Sequence, residues 1–158
     1  MSPLMSIAYR GLPAILAGAA LLGAAPAAAS ADDAIRLRFQ KNCPDATCTG
    51  TLITKAGTPV RGSTVSASIS LPLWSVSGVI GFSATETISS RRGAFTMNHL
   101  GVNDIDADPA AIRVLGVVVS GSWDGVPLTG ALVRIRAFGV PPSSVRGTLV
   151  IQPSSNDA

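Results

Sequence analysis

The residues whose types and spacing best suit chemistry are three aspartates in one short segment. Asp104, Asp106 and Asp108 occupy alternating positions, and oxygen atoms spaced in this way in a loop can converge on a hard cation such as calcium. An EF-hand loop beginning at Asp104 would need glycine and glutamate where this chain has Pro109 and Leu115. The segment is therefore a candidate calcium site of another kind. Its alternative is a solvated turn whose carboxylates cap backbone amides, and we expect no other cofactor.

His99 is the only histidine of the chain, and Glu86 is its only glutamate. His99 could assist acid–base chemistry with Glu86 or with a loop aspartate. The segment 119–123 lacks the first glycine of the Gly-x-Ser-x-Gly nucleophile motif. With one glutamate, a glycosidase that uses paired carboxylates would have to recruit loop aspartates. The sequence therefore predicts a protein without catalytic activity. A minor hydrolase that uses His99 is an alternative.

Cys43 and Cys48 are the only cysteines. An even number of cysteines in an exported chain most simply indicates a disulfide. The four residues between them do not match the C-x-x-C spacing of thiol oxidoreductases, and a single histidine is too few to complete a zinc site. We therefore expect a disulfide that closes a short loop.

Two tryptophans, Trp74 and Trp123, lie where predicted strands end. Tryptophans in loops often bind sugars or apolar groups, so both are candidate ligand-binding residues. They also commonly fill the end of a hydrophobic core. We prefer the second role, because four phenylalanines are the only other aromatic residues after residue 31.

Residues 1–31 have the pattern of an export signal. Arg10 supplies a positive charge, residues 12–25 are uncharged and apolar, and Ala29-Ser30-Ala31 matches the small residues that a signal peptidase requires. A retained membrane anchor is the alternative, since residues 11–31 form an uncharged run of 21 residues. The prediction is a cleaved signal helix and a secreted or periplasmic protein.

Removal of residues 1–31 leaves one predicted domain, residues 32–158, of 127 residues. Its net charge is +2 and no three basic residues are consecutive, so nucleic acid is not an expected partner. We also expect no membrane insertion after signal cleavage, because an outer-membrane barrel would need more aromatic residues for its two girdles.

The composition after residue 31 is typical of an all-β domain. It is rich in Val, Ile, Thr, Ser and Gly, and Gly or Pro interrupts it every eight to fifteen residues. Apolar residues alternate with hydroxyl residues over 64–71, and with Arg134 and Arg136 over 131–138. The run 114–119 is apolar at every position except Gly116, which indicates a central strand covered on both faces.

Further strands are predicted at 35–40, 49–54, 76–83, 94–98, 112–120 and 147–152. About eight antiparallel strands in a domain of this size predict a two-layer β-sandwich, with a small closed β-barrel as the alternative.

A weak internal repeat relates residues 57–65 to 125–133. Both copies share the pattern Gly-x-Pro-[Val/Leu]-x-Gly-x-x-Val, and the first is followed by Gly-Ala-Phe-Thr-Met at 93–97 and Leu-Gly at 100–101. Over about residues 49–101 this pattern resembles carboxypeptidase regulatory-like and transthyretin-like β-sandwich domains. The resemblance implies an accessory or adhesive module without catalysis.

The sequence thus predicts a secreted or periplasmic, non-catalytic β-sandwich module that has a binding or structural role at the cell surface. Its expected partner is a protein or carbohydrate of unknown identity. The main alternative is a small barrel that binds an apolar ligand inside; an internal cavity would distinguish the two, because a well-packed sandwich leaves none of ligand size.

Overall fold

The computed structural model describes residues 33–139 and 144–154, so the predicted signal at residues 1–31 lies outside the described residues. The described chain forms nine β-strands: β1 (Ile35–Asn42), β2 (Thr47–Ile53), β3 (Thr64–Val76), β4 (Val79–Ser90), β5 (Gly93–Asp104), β6 (Ala111–Trp123), β7 (Val126–Pro127), β8 (Leu132–Phe138) and β9 (Ser144–Gln152).

Eight of these strands close into an antiparallel barrel. Apart from the two-residue β7, which pairs only with the end of β6, each strand pairs with the next one along the chain. β9 then pairs with β1 over eight residue positions, and β5 pairs with β6 over twelve. The all-β prediction is confirmed, and the architecture is the closed barrel that was the alternative to a two-layer sandwich. Alternating strands suit both architectures, and the closing strand pairs decide between them.

Side chains alternate between the inside and the outside of the barrel. Along β8, Val133, Ile135 and Ala137 are buried, whereas Arg134 and Arg136 are exposed, as the sequence predicts. The expectation of a central strand covered on both faces is wrong. Val114 in β6 is buried, but Leu115 beside it is 66% exposed, because a barrel has only one covered face.

One half of the interior is densely filled, and we call it the filled half. The rings of Phe95 and Trp123 meet edge to face, with centroids 5.7 Å apart. Leu128, which follows β7, is fully buried and its amide donates to the Gly121 carbonyl. Ile88 is also fully buried, so large side chains close this end of the barrel.

The predicted disulfide between Cys43 and Cys48 is confirmed. It links the segment after β1 to β2, and both cysteines are buried. Disulfides are typical of oxidising compartments, so the bond favours an environment outside the cytoplasm.

Within residues 33–139 and 144–154, no helix has the length and apolar character needed to span a bilayer.

Candidate functional site

The other half of the barrel encloses a cavity of about 290 Å³, and we call this part the hollow half. Its wall is apolar except for four residues, namely Lys41, Glu86, His99 and Asn103. The apolar lining comes from six strands, the segment after β1 and the start of the loop after β5: Phe39, Cys43, Ala67, Ile69, Ile80, Phe82, Ala84, Ile105, Ile112, Val114, Ile135, Ala137 and Val145.

Small residues at inward positions create this space. Ala67, Ala84 and Ala137 line the cavity, where the filled half has side chains as large as Phe95. Gly101 is small for a related reason, because a Cβ atom there would lie 2.5 Å from the Phe82 ring. The absence of a Cβ atom at Gly101 therefore leaves room for the Phe82 ring.

A buried network of three charged or titratable side chains forms the floor of the cavity. Lys41 Nζ lies 2.7 Å from Glu86 Oε1, and His99 Nε2 lies 3.0 Å from Glu86 Oε2. Glu86 and His99 are diagonal neighbours on the paired strands β4 and β5, whereas Lys41 reaches Glu86 from β1. Glu86 is fully buried, and Lys41 and His99 are at least nine-tenths buried. The network therefore ties non-adjacent strands together through the interior.

Glu86 is ionised at neutral pH in this network. Burial raises the pKa of its carboxyl group, but the hydrogen bond with His99 and the positive charge of Lys41 outweigh burial and hold the pKa below its ordinary value of 4.5. Lys41 also lies over the ring of Phe39, with Nζ 4.9 Å from the ring centroid. Because a carboxylate only accepts hydrogen bonds, Nε2 of His99 carries the proton of their shared bond.

Two polar atoms of cavity-lining residues have no hydrogen-bond partner in the described part of the chain. They are Nδ1 of His99 and Oδ1 of Asn103, and both are buried. Buried polar atoms usually have a partner, so each exception calls for an explanation. A polar group on a bound molecule would supply one at this site.

Ile105 marks the rim of the cavity, because it lines the cavity and is 40% exposed. It begins the loop that carries the predicted calcium-binding aspartates. Its amide donates to the carbonyl of Gly78, and Asp106 packs against the same glycine. The loop after β5 therefore rests on the turn between β3 and β4, at the entrance to the hollow half.

The three aspartates lie in or next to this loop. Asp104 ends β5, and its Oδ1 accepts a hydrogen bond from the Ala107 amide at 3.2 Å. This bond matches the capping role given as the alternative. Asp106 and Asp108 are exposed. No group of three or more acidic, histidine or cysteine side chains that could hold a metal ion is found among the residues that the structure describes, and calcium binding stays a prediction.

Neither tryptophan lines the interior cavity. Trp123 is 1% exposed and belongs to the filled half, and Arg92 lies over its ring at 5.5 Å. Trp74 is 46% exposed. Its ring lies against Gly81, and it borders a groove with Leu73 and Leu100, two other exposed residues. Ligand binding by the two tryptophans stays a prediction.

Sequence reasoning paired His99 with Glu86 as one of several options and missed Lys41. The sequence pattern could have identified Lys41, because this residue follows Leu37 and Phe39 at the alternating inward positions of β1. A charged residue at an inward position of such a strand predicts a buried polar site. Glu86 was harder to place, since the predicted strand at 76–83 ended before it.

No protein family model matches the chain, and no curated protein or solved structure matches it. The resemblance to carboxypeptidase regulatory-like and transthyretin-like domains therefore stays a prediction.

Proposed function

We propose that this protein binds a small, largely apolar molecule inside the hollow half of its barrel. The observation that carries the proposal is the cavity of about 290 Å³ with an apolar wall and a buried polar floor. Ligand sites in proteins commonly combine mostly apolar walls with a few polar groups that fix orientation. Here the apolar wall binds the body of the ligand, and the polar floor orients its polar end.

The volume limits the size of the ligand. An engineered apolar cavity of about 150 Å³ holds one benzene molecule. On the same scale, the present cavity of about 290 Å³ takes a molecule of roughly twelve non-hydrogen atoms. Molecules with one or two rings, or a short branched chain, fit this description.

The proposal includes export of the protein from the cytoplasm. The pattern of residues 1–31 and the disulfide between Cys43 and Cys48 support a secreted or periplasmic location. In that location the barrel would bind its ligand without catalysis. The cell-surface module with a protein or carbohydrate partner stays a prediction.

Calorimetric titration with indole and with 2-naphthol, two soluble molecules of suitable size, tests cavity binding. The informative variant is Ala67→Leu, because Ala67 lines the cavity and the larger side chain fills part of it. The matched control is Ser66→Leu, one position away on the exposed outer face of β3. Binding should weaken at least about tenfold in Ala67→Leu and stay unchanged in Ser66→Leu. No binding to the unaltered protein, or equal effects of the two substitutions, would refute the proposal.

A further inference from the structure

Lys41 occupies the position that an amine needs to capture a carbonyl compound in the cavity. We propose that Lys41 forms an imine with the aldehyde group of a small, largely apolar ligand. This inference rests on the proposed function, because the aldehyde must first enter the hollow half. It names the chemical class of the ligand and adds a covalent step to binding.

The placement of the amine supports this step. Lys41 lines the cavity, and its side chain is 10% exposed, against 0% for Glu86 and 3% for His99. It is therefore the most accessible member of the floor network. An ammonium group has three N–H donors, and the bond to Glu86 Oε1 uses one of them. The remaining donors can bind and polarise a carbonyl oxygen at the floor.

Glu86 is positioned to take the proton that blocks the amine. Its Oε1 lies 2.7 Å from Lys41 Nζ, so it can accept this proton directly and transiently while the nitrogen attacks. The hydrogen bond between His99 Nε2 and Glu86 Oε2, at 3.0 Å, fixes the orientation of the carboxylate. His99 is thus a positioning residue in this step, because it acts through the Glu86 carboxylate.

The chemistry balances without any further reactant. After Glu86 takes one ammonium proton, the Nζ lone pair attacks the aldehyde carbon. The carbonyl oxygen then takes up a proton from the nitrogen and becomes the hydroxyl group of a carbinolamine. Glu86 returns its proton to this hydroxyl, the C–O bond breaks, water leaves and a C=N bond forms. The product is a protonated imine, so a single positive charge faces Glu86 both before and after the reaction.

Two features of the site favour the imine over its hydrolysis. The apolar wall limits the water available to reverse the reaction. The Glu86 carboxylate faces a cation before and after the reaction, and both groups are neutral in between, so no buried charge becomes unpaired. An exposed lysine has neither advantage.

The chain supplies its own control, because it contains only two lysines, Lys41 and Lys55. Lys55 is exposed. The full chain as secreted is incubated with cinnamaldehyde and sodium cyanoborohydride, which reduces an imine to a stable amine. Intact mass and peptide mapping then give the rate of modification at each lysine. Besides any adduct at the N-terminal amine, we expect the adduct at Lys41 to form at least about tenfold faster than at Lys55, because the cavity holds the aldehyde beside the amine.

Two variants and one competitor make the result specific. Lys41→Arg keeps the positive charge but cannot form an imine, so the fast adduct should disappear; Lys55→Arg should keep it. Cinnamyl alcohol has nearly the same shape but no carbonyl group. It should slow modification of Lys41 and leave Lys55 unaffected, and this comparison needs no variant to fold.

The outcomes separate this inference from the proposed function. Calorimetric binding of cinnamyl alcohol without a fast adduct at Lys41 overturns the inference and leaves the proposed function intact. If cinnamyl alcohol does not bind and no fast adduct forms at Lys41, both the inference and the proposed function are overturned. An adduct at Lys41 that the alcohol does not slow also overturns the inference, since the reaction then does not depend on the cavity.

Discussion

The filled half and the hollow half of the barrel use the same strands for opposite purposes. In the filled half, inward positions carry large apolar side chains such as Phe95 and Trp123, which are 2% and 1% exposed. In the hollow half they carry alanine at positions 67 and 84, together with the buried ion pair of Lys41 and Glu86. The filled half supplies much of the packing that stabilises the barrel, and the hollow half can therefore keep an underpacked, polar site.

The buried network adds a second difference between the halves. Transfer of two charges from water to the interior costs free energy that their mutual attraction only partly restores. A core built for stability alone would place apolar residues at positions 41 and 86. Their presence at the floor of a cavity is consistent with the proposed ligand binding.

The largest expected effect is a loss of packing in the filled half. Phe95→Ala should lower the free energy of unfolding by about 3–5 kcal/mol, because Phe95 is enclosed on all sides. Phe82→Ala is the matched change in the hollow half. Its loss should be smaller, since Phe82 already borders the cavity and makes fewer contacts on that side. Denaturant unfolding of both variants measures the difference, and equal losses would show that the two halves are packed alike.

The next effect compares one ion pair from each half of the barrel. Glu86→Gln should cost about 3 kcal/mol in the free energy of unfolding, because it leaves the buried Lys41 ammonium without a counter-ion. The control is Asp124→Asn, which removes the partner of Arg92 on the exposed surface near Trp123. Asp124→Asn should change the free energy of unfolding little, because solvent screens exposed ion pairs. Chemical denaturation compares the two variants, and an equally small loss in Glu86→Gln would argue that the buried pair is unimportant.

A smaller effect distinguishes the halves by the space they leave. Ala131 is fully buried in the filled half, so Ala131→Leu should lower the free energy of unfolding by about 1–3 kcal/mol through overpacking. The side chain at position 67 points into the cavity. Ala67→Leu should therefore lower the free energy of unfolding by less than Ala131→Leu does, or raise it. Thermal and denaturant unfolding test the pair. A larger cost for Ala67→Leu would mean that the cavity wall cannot accommodate a side chain of that size.

The smallest expected effect is a dependence of stability on acid pH. The folded pKa of Glu86 lies below its ordinary value of 4.5, so as the pH falls the unfolded chain takes up the proton first. Stability from this carboxylate is therefore present above about pH 4.5 and is lost below it. Its neighbours are Lys41 and His99. Unfolding at a series of pH values should show a shallower acid decline in Glu86→Gln than in the unaltered protein, and parallel curves would contradict this.

Much of the fold was predictable from local pattern. Every strand of the barrel overlaps a predicted strand, and the inward and outward faces follow the predicted alternation over 64–70 of β3 and along β8. The bounds were less accurate, because β4 continues to Ser90, well beyond the predicted end at residue 83. The polar residues Thr85, Glu86 and Thr87 interrupt the apolar pattern there, although pairing with β3 and β5 keeps them in the strand.

The candidate site was predictable only in part. The histidine and the glutamate stood out because each occurs once, yet their contact depends on the register of β4 against β5. The contact with Lys41 depends on the approach of β1 across the interior. No local pattern encodes a distance between residues that lie 45 positions apart.

Local sequence patterns were enough to predict the all-β class, the approximate positions of the strands, the disulfide between Cys43 and Cys48, and the outward placement of Arg134 and Arg136. These features follow from alternation, turn residues and short spacing, which act within a few neighbouring residues. Only the tertiary structure decided that the sheet closes into a barrel and that one half of the interior stays hollow. Both depend on pairing between distant strands and on the volumes of side chains that meet inside, and these quantities are fixed only when the whole chain has folded.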